Sequence, residues 1–244
     1  MRLVEEACAL IKEGTIKEMS KNLLEDSIGA ILGDPIAVGK IIVAIGRSPF
    51  FIREQLFWAK LRAYLDGVYL EEDDKGKLRA KLLEVGEKDE SIQRLIQCID
   101  GAETQKKIDY IVNATRCLLA DFIDKPTFFR VCHAITHTLE EDLAYLSVHI
   151  DDVDLLYNVN VQGLLTTGLM YQRVIDADGE PKYSFTSIAK IVDQYAVSYA
   201  NEARYPNPLA LNQDFSSPQQ QIVNTVEWKE ISNEEIDGMV FDDR

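Results

Sequence analysis

Basic charge, paired cysteines and uninterrupted apolar runs are all scarce in this chain, and each scarcity excludes something. The four cysteines, Cys8, Cys98, Cys117 and Cys132, form no C-x-x-C pair and match neither a zinc ribbon nor a disulfide framework. The opening MRLVEEACALIKEG lacks the uncharged core and cleavage site of a signal peptide, so reduced thiols in a cytoplasmic protein are expected. Lysine and arginine number 26 against 41 acidic residues, a formal net charge of −15. Such a chain repels nucleic acid and anionic lipid at long range, so no nucleic-acid partner is expected. The one dense basic stretch, Lys75, Lys77, Arg79 and Lys81, directly follows the acidic Glu71, Glu72, Asp73 and Asp74. Mixed charge of this kind reads as a solvated helix face or loop. A P-loop, a dinucleotide fingerprint, a nucleophile elbow and H-E-x-x-H are also missing, and no cofactor is implied.

The nearest approach to a membrane span is GAILGDPIAVGKIIVAIG, Gly29 to Gly46. A span needs about twenty apolar residues, and Ile28 to Ile45 falls short. Asp34-Pro35 is a good N-cap and first helical residue, so the segment divides there into two short helices. Gly29 and Gly33 form a G-x-x-x-G step, which lets helix backbones approach closely. Two readings follow. Either the pieces are core helices with tight crossings, or they form a hairpin that leaves the core and enters a bilayer when triggered.

Apolar positions at helical spacing dominate up to about Leu165. Helices are predicted up to Gly14, over Thr15 to Asp26, and from a Ser48-Pro49 start through Phe57, Trp58, Leu61, Tyr64, Leu65 and Val68. Others are predicted at Gly76 to Val85, Ser91 to Ile99, Glu103 to Ile123 and Pro126 to His149. DDVDLLYNVNVQGLLTTG reads as one further helix turning at Gly168. LMYQRVI and PKYSF alternate about an Asp-Gly turn and predict a hairpin, and Thr186 or Ser187 caps a last helix. The turn DADGEPKY, with Asp176, Asp178 and Gly179, lacks the other ligands of a calcium loop.

The expected fold is therefore mainly α. A multi-helix bundle over 1–150 contains the apolar segment 28–46. A small winged-helix-like unit (helix, helix, hairpin, helix) covers 151–200. An acidic, proline-containing tail covers 201–244, with one strand around Ile222 to Ile231.

RVCHAITH, Arg130 to His137, is the densest group of reactive side chains. His133, His137 and Glu141 stand four apart, so one continuous helix would put two imidazoles and a carboxylate on a single face as metal ligands. Arg130 and His137 have the spacing of the Arg and His of HEPN-type ribonucleases. That family usually places a polar residue straight after the arginine, where this chain has Val131.

The run DSIGAILGDPIAVGKIIVAIGRSPFFIREQLFWAKLRAYLDG, closing later on YSFTSIAKIVDQYAVSY, resembles a group of uncharacterised bacterial helical proteins from phage-derived and defence-associated loci. Their pattern is an apolar Gly/Pro segment, an I-R-(D/E)-x-L-F helix (Ile52 to Phe57 here) and a Y-x-(F/L)-T-x-x-G helix start. Tyr183, Phe185 and Thr186 match the last of these, while Ala189 replaces its glycine. The resemblance implies a non-enzymatic role in phage immunity and carries over no catalytic residue. The leading expectation is a triggered effector or sensor, cytoplasmic and associated with the inner membrane on triggering. Its membrane or partner contacts would be Gly29, Gly33, Asp34, Pro35, Ile41 and Trp58. A soluble adaptor that binds a protein partner or a second copy comes next, and a HEPN-like ribonuclease using Arg130 and His137 third.

Overall fold

A computed structural model describes residues 3–16, 22–47, 52–71, 73–83, 90–175 and 179–199. The fold is mainly helical. The described residues belong to one compact unit, 1–210. The Ser48-Pro49 helix start, the Asp176 and Asp178 turn residues and the tail strand lie outside the described residues.

The first layer is α1 (Leu3–Lys12), α2 (Leu23–Ile31), α3 (Pro35–Arg47) and α4 (Ile52–Val68). The helix predicted over Thr15 to Asp26 starts later than expected. Thr15 and Ile16 are not helical, and Asn22 caps α2 by accepting from the Glu25 amide at 3.4 Å. Asn22 is the stronger start signal because its side chain replaces a missing backbone partner at the helix start.

Between α2 and α3 the chain turns on Gly33, at φ +82. The Gly33 amide donates to the Ala30 carbonyl at 3.0 Å and the Asp34 amide to the Gly29 carbonyl at 2.9 Å. These are the two bonds of a Schellman ending, which needs a left-handed residue where a side chain is strained. Asp34 Oδ1 then accepts from the Ile36 amide at 2.9 Å and opens α3, with Pro35 as its first residue. The division at Asp34-Pro35 is therefore as predicted, but Gly33 is a turn residue and only Gly29 lies at a helix crossing. A Cβ on Gly29 would come within 2.8 Å of the Ala37 Cβ.

The second layer is α5 (Asp74–Leu82), α6 (Glu90–Gly101), α7 (Gln105–Leu119), α8 (Lys125–His137) and α9 (Glu140–His149). Thr104 caps α7 and Asp124 caps α8, each accepting from the amide three residues on. The core between the layers is built from Leu61, Tyr64 and Leu65 of α4, Leu95 and Ile99 of α6, Ile108 and Ile111 of α7, and Phe128, Val131 and Ile135 of α8. Each such aliphatic side chain contributes about 1.5–3 kcal/mol on burial. The predicted face of α4 docks here, with Phe57, Leu61, Tyr64, Leu65 and Val68 buried and Trp58 packed half-buried against the core.

The helix predicted over Pro126 to His149 is two helices. Thr138 and Leu139 are extended and separate α8 from α9. Three acids, Glu140, Glu141 and Asp142, fill the first turn of α9, where the helix dipole favours negative charge.

After α9 the chain forms α10 (Val159–Thr166), β1 (Met170–Ile175), β2 (Pro181–Phe185), α11 (Ser187–Val192) and a π-helical turn, Asp193–Val197. The helix predicted from Asp151 begins only at Val159, because Asn158 caps it and accepts from the Val161 amide at 2.8 Å. The strands pair antiparallel from Met170 opposite Phe185 to Ile175 opposite Pro181, with a bulge between Gln172 and Val174. Thr186 caps α11 as expected. Both α11 and the π-helical turn pack on the second layer, α11 on α8 and the turn on α7 and α9.

Candidate functional site

The apolar segment lies mostly inside the protein. Ala30, Ile31, Ala37, Val38 and Ile41 are buried, while Asp34 and Ile36 face solvent at the turn. Its lysine is accounted for, since Lys40 Nζ stands 4.0 Å from Asp26 Oδ1 across the α2–α3 crossing. Tyr69 donates its buried hydroxyl to the Ile31 carbonyl and so holds the end of α2 to the rest of the core. Burial, and then the nearby Asp74, push the Tyr69 phenol above its ordinary value. No helix among the described residues is long and apolar enough to cross a membrane. A cleft of about 420 Å³ opens beside this segment between α2, α4 and α6, with Leu24 and Phe57 in its wall and Arg53 and Asp100 at 3.5 Å on its rim.

On α8, the buried side is Phe128, Val131, Cys132 and Ile135, and the exposed side carries Arg130, His133 and His137. Seven residues of helix place Arg130 and His137 on the same side, about 10 Å apart along the axis. His137 Nδ1 donates to the His133 carbonyl at 2.9 Å, and the two rings lie 4.0 Å apart. Partial burial, His137 and then Arg94 of α6 hold the His133 imidazole below its usual value. The Arg94 guanidinium itself lies 4.3 Å from the centre of the Phe129 ring.

Glu141 does not join the imidazoles. It was expected one helical turn beyond His137, but the helix stops at His137 and Glu141 belongs to the new helix α9. Among the described residues no group of three His, Cys, Asp or Glu side chains is placed to hold a metal.

The surface that sequence reasoning missed lies between α9 and α10. Val148, Val153, Leu156, Tyr157 and Val159 are all more than half exposed, from 56% to 83%. Single exposed apolar residues are ordinary, but five within so short a stretch are not. Val153, Leu156 and Tyr157 project from a well-fixed loop, flanked by Val148 at the end of α9 and Val159 at the start of α10. Leu155 exchanges two 3.0 Å backbone hydrogen bonds with Tyr183, so it borders β2 on the side away from β1. Asp154, at φ +59, accepts from Arg173 Nη1 at 3.0 Å, and His149 Nδ1 meets Asp152 Oδ2 at 2.6 Å. Asn158 Nδ2 donates to the Tyr145 hydroxyl at 3.1 Å, and the Tyr157 and Tyr183 rings are 5.9 Å apart. A sequence signal was available. Asn158 followed by Val-Asn-Val marks a helix start, which leaves VDLLY, apolar but for Asp154, outside any helix.

Comparison with protein-family models, curated proteins and solved structures gives no match to this chain.

Proposed function

We propose that the chain is a non-enzymatic bacterial protein of phage-defence type that works by protein contact, docking a partner on the apolar surface from Val148 to Val159. One observation carries the mode of action. Five large apolar side chains stand in solvent on and beside a loop held by hydrogen bonds, while the apolar segment 28–46 is packed mostly in the core. Holding apolar surface in water costs free energy that burial against a partner returns, at about 25 cal/mol per Å². Aromatic and aliphatic anchors at the centre of a rigid patch are the usual source of binding energy. The defence setting rests on the resemblance of the apolar segment and the Ile52 to Phe57 helix to proteins of such loci. Membrane entry by residues 28–46 is the costlier alternative, because it would expose Ile31, Val38 and Ile41 before any lipid contact formed.

The test places a photo-crosslinking amino acid at Val153 and, as a control, at the exposed Lys77 on another face. Light scattering of the purified chain measures self-association in parallel. The expected result is a dimer or a crosslinked partner seen from Val153 and not from Lys77, lost in Leu156→Asp and Tyr157→Asp variants that melt like the parent. If no species depends on Leu156 and Tyr157, protein contact here is wrong. Dye release from anionic liposomes that is lost in Ile36→Asp would put the membrane reading in its place.

A second reading is supported by the shared orientation of Arg130 and His137 on the exposed side of α8. A ribonuclease using that pair would degrade RNA with the parent chain and fail with His137→Ala, while Leu156→Asp would retain activity.

A further inference from the structure

The apolar side chains from Val148 to Val159 stand among carboxylates. Asp151, Asp152 and Asp154 are interspersed with Val153, Leu156 and Tyr157 along the loop, and all six are exposed. Glu141 is exposed at the start of α9, beside Asp142, whose Oδ1 accepts from Asn160 Nδ2 of α10 at 3.0 Å. From Glu140 to Asn160 the chain has no lysine or arginine. The hairpin supplies two cations, Arg173, which meets Asp154 at 3.0 Å, and Lys182, next to the Tyr183 that pairs with Leu155. Exposed carboxylates therefore remain in excess.

Two of these carboxylates are also held in place. His149 meets Asp152 at Oδ2 and Arg173 meets Asp154 at Oδ1, yet both acidic side chains stay about half exposed, at 53% and 52%. Among the described residues, Asp152 Oδ1 and Asp154 Oδ2 meet no further side chain. A carboxylate accepts hydrogen bonds at both oxygens, which leaves the outer one to solvent. Any surface that covers Leu156 and Tyr157 covers these oxygens too, because they lie within a few residues of each other. Dehydrating a carboxylate costs free energy unless a cation or hydrogen-bond donor takes the place of water.

We infer that the partner docked at Val148 to Val159 is a protein segment carrying lysine or arginine beside its apolar side chains. The inference rests on the reading of this surface as a docking site and narrows what docks there. A second copy of the chain is the wrong occupant. A two-fold contact through this patch brings the same carboxylates face to face, and each copy carries a formal net charge of −15. Nucleic acid and an anionic lipid surface are repelled in the same way. A cationic partner gains twice. Long-range attraction speeds encounter, and its ammonium or guanidinium groups replace the water lost at Asp152 and Asp154. Because the loop is already ordered, little conformational freedom is lost when the contact forms.

The experiment selects yeast-displayed random short peptides for binding to the full chain, with counter-selection against the Leu156→Asp/Tyr157→Asp variant. Counter-selection removes peptides that only follow the overall negative charge. Those that remain should be rich in lysine and arginine next to leucine or aromatic residues. For one such peptide made synthetically, fluorescence anisotropy should show binding about tenfold weaker at high salt than at low salt. Asp151→Asn/Asp152→Asn should also weaken it about tenfold. Glu13→Gln/Glu25→Gln removes the same charge from the end of α1 and the first turn of α2, and should change it by less than about twofold. Thermal melts check each variant; should Asp151→Asn/Asp152→Asn unfold, the salt series and the peptide composition decide. Selected peptides that are neutral or acidic, or a dimer of the parent chain that Leu156→Asp abolishes, would overturn the cationic partner and leave the docking surface standing. If no peptide distinguishes the parent from Leu156→Asp/Tyr157→Asp, the docking surface itself falls, and the cationic partner with it.

Discussion

Lys107 Nζ lies 3.3 Å from the Thr136 carbonyl, at the end of α8, although the lysine belongs to the middle of the molecule and is almost wholly buried. Its charge is met by the carboxylate of Glu103 at 3.2 Å, four residues earlier on the chain and largely in solvent. The lysine stem fills core space while its head satisfies a helix-terminal carbonyl, so both parts contribute. Lys107→Met keeps the packing and loses the charged hydrogen bond, and should cost about 1–2 kcal/mol. Lys107→Ala also leaves a cavity and should cost about 2–4 kcal/mol. Urea melts of the two variants beside the parent check the order, and equal costs would show that packing around the stem does not matter.

Gly33 and Gly29 should fail differently when changed to alanine. Gly33→Ala places a side chain in the left-handed region and against the Lys75 side chain, costing about 1–2 kcal/mol. Gly29→Ala pushes on Ala37 at the α2–α3 crossing and should cost about 1–3 kcal/mol through overpacking. Thermal melts give both values, and a neutral Gly29→Ala would show that α2 and α3 are less closely packed than described.

Ile41→Asp and Leu156→Asp make a paired test of inside against outside. Ile41 is fully buried, so an aspartate there should destabilise by more than about 3 kcal/mol. Leu156 is more than half exposed, and the same change should stay within about 0.5 kcal/mol. Equal effects at the two positions would contradict the burial pattern.

Asp142 gives a pH dependence with a definite sign. Burial, and then the neighbouring Glu141, hold its carboxyl above the usual carboxylate range, while the hydrogen bond from Asn160 Nδ2 at 3.0 Å only partly offsets them. A carboxyl raised in the folded state favours folding when protonated. Stability from this group is therefore greatest below the unfolded-state value and falls as pH rises through the raised one. Asp142→Asn should raise the melting temperature at neutral pH and flatten the profile in that window. A variant less stable than the parent at pH 7 would mean that the charged form is the better-held one.

Much of the helical plan could be read from the chain because its signals are local. Asp34-Pro35, Gly14 and Thr186 each act on the backbone within a few residues, and each stands at a helix end or cap as expected. The α4 face was legible for the same reason, since Phe57, Leu61, Tyr64, Leu65 and Val68 recur at helical spacing. The break at Thr138-Leu139 was harder to see. Neither residue is a helix breaker, and the reason to stop there includes Lys107, about thirty residues away. The metal triad failed on that same break. The helix start at Asn158 places VDLLY outside a helix, but the exposure of Val153, Leu156 and Tyr157 was not legible, because an apolar run predicts burial and nothing local announces the pairing of Leu155 with Tyr183.

The π-helical turn at Asp193–Val197 has a consequence for how this chain tolerates change in length. Its backbone is pinned from α7, with Asn113 Nδ2 donating to the Ala196 carbonyl at 2.9 Å, and from within, with Ser198 Oγ donating to Asp193 Oδ1 at 2.6 Å. A π turn holds one residue more than an α turn. Removing a single residue there would let the backbone relax into ordinary α-helix and leave everything beyond it at nearly the same angle, because a π turn of five residues sweeps about the same arc as an α turn of four. Ser198 would then keep the Ser147 hydroxyl that it meets at 2.8 Å, and Tyr199 its place against the core. The extra residue is thus absorbed within the turn, and the angular phase of the chain as it passes Tyr199 does not depend on it.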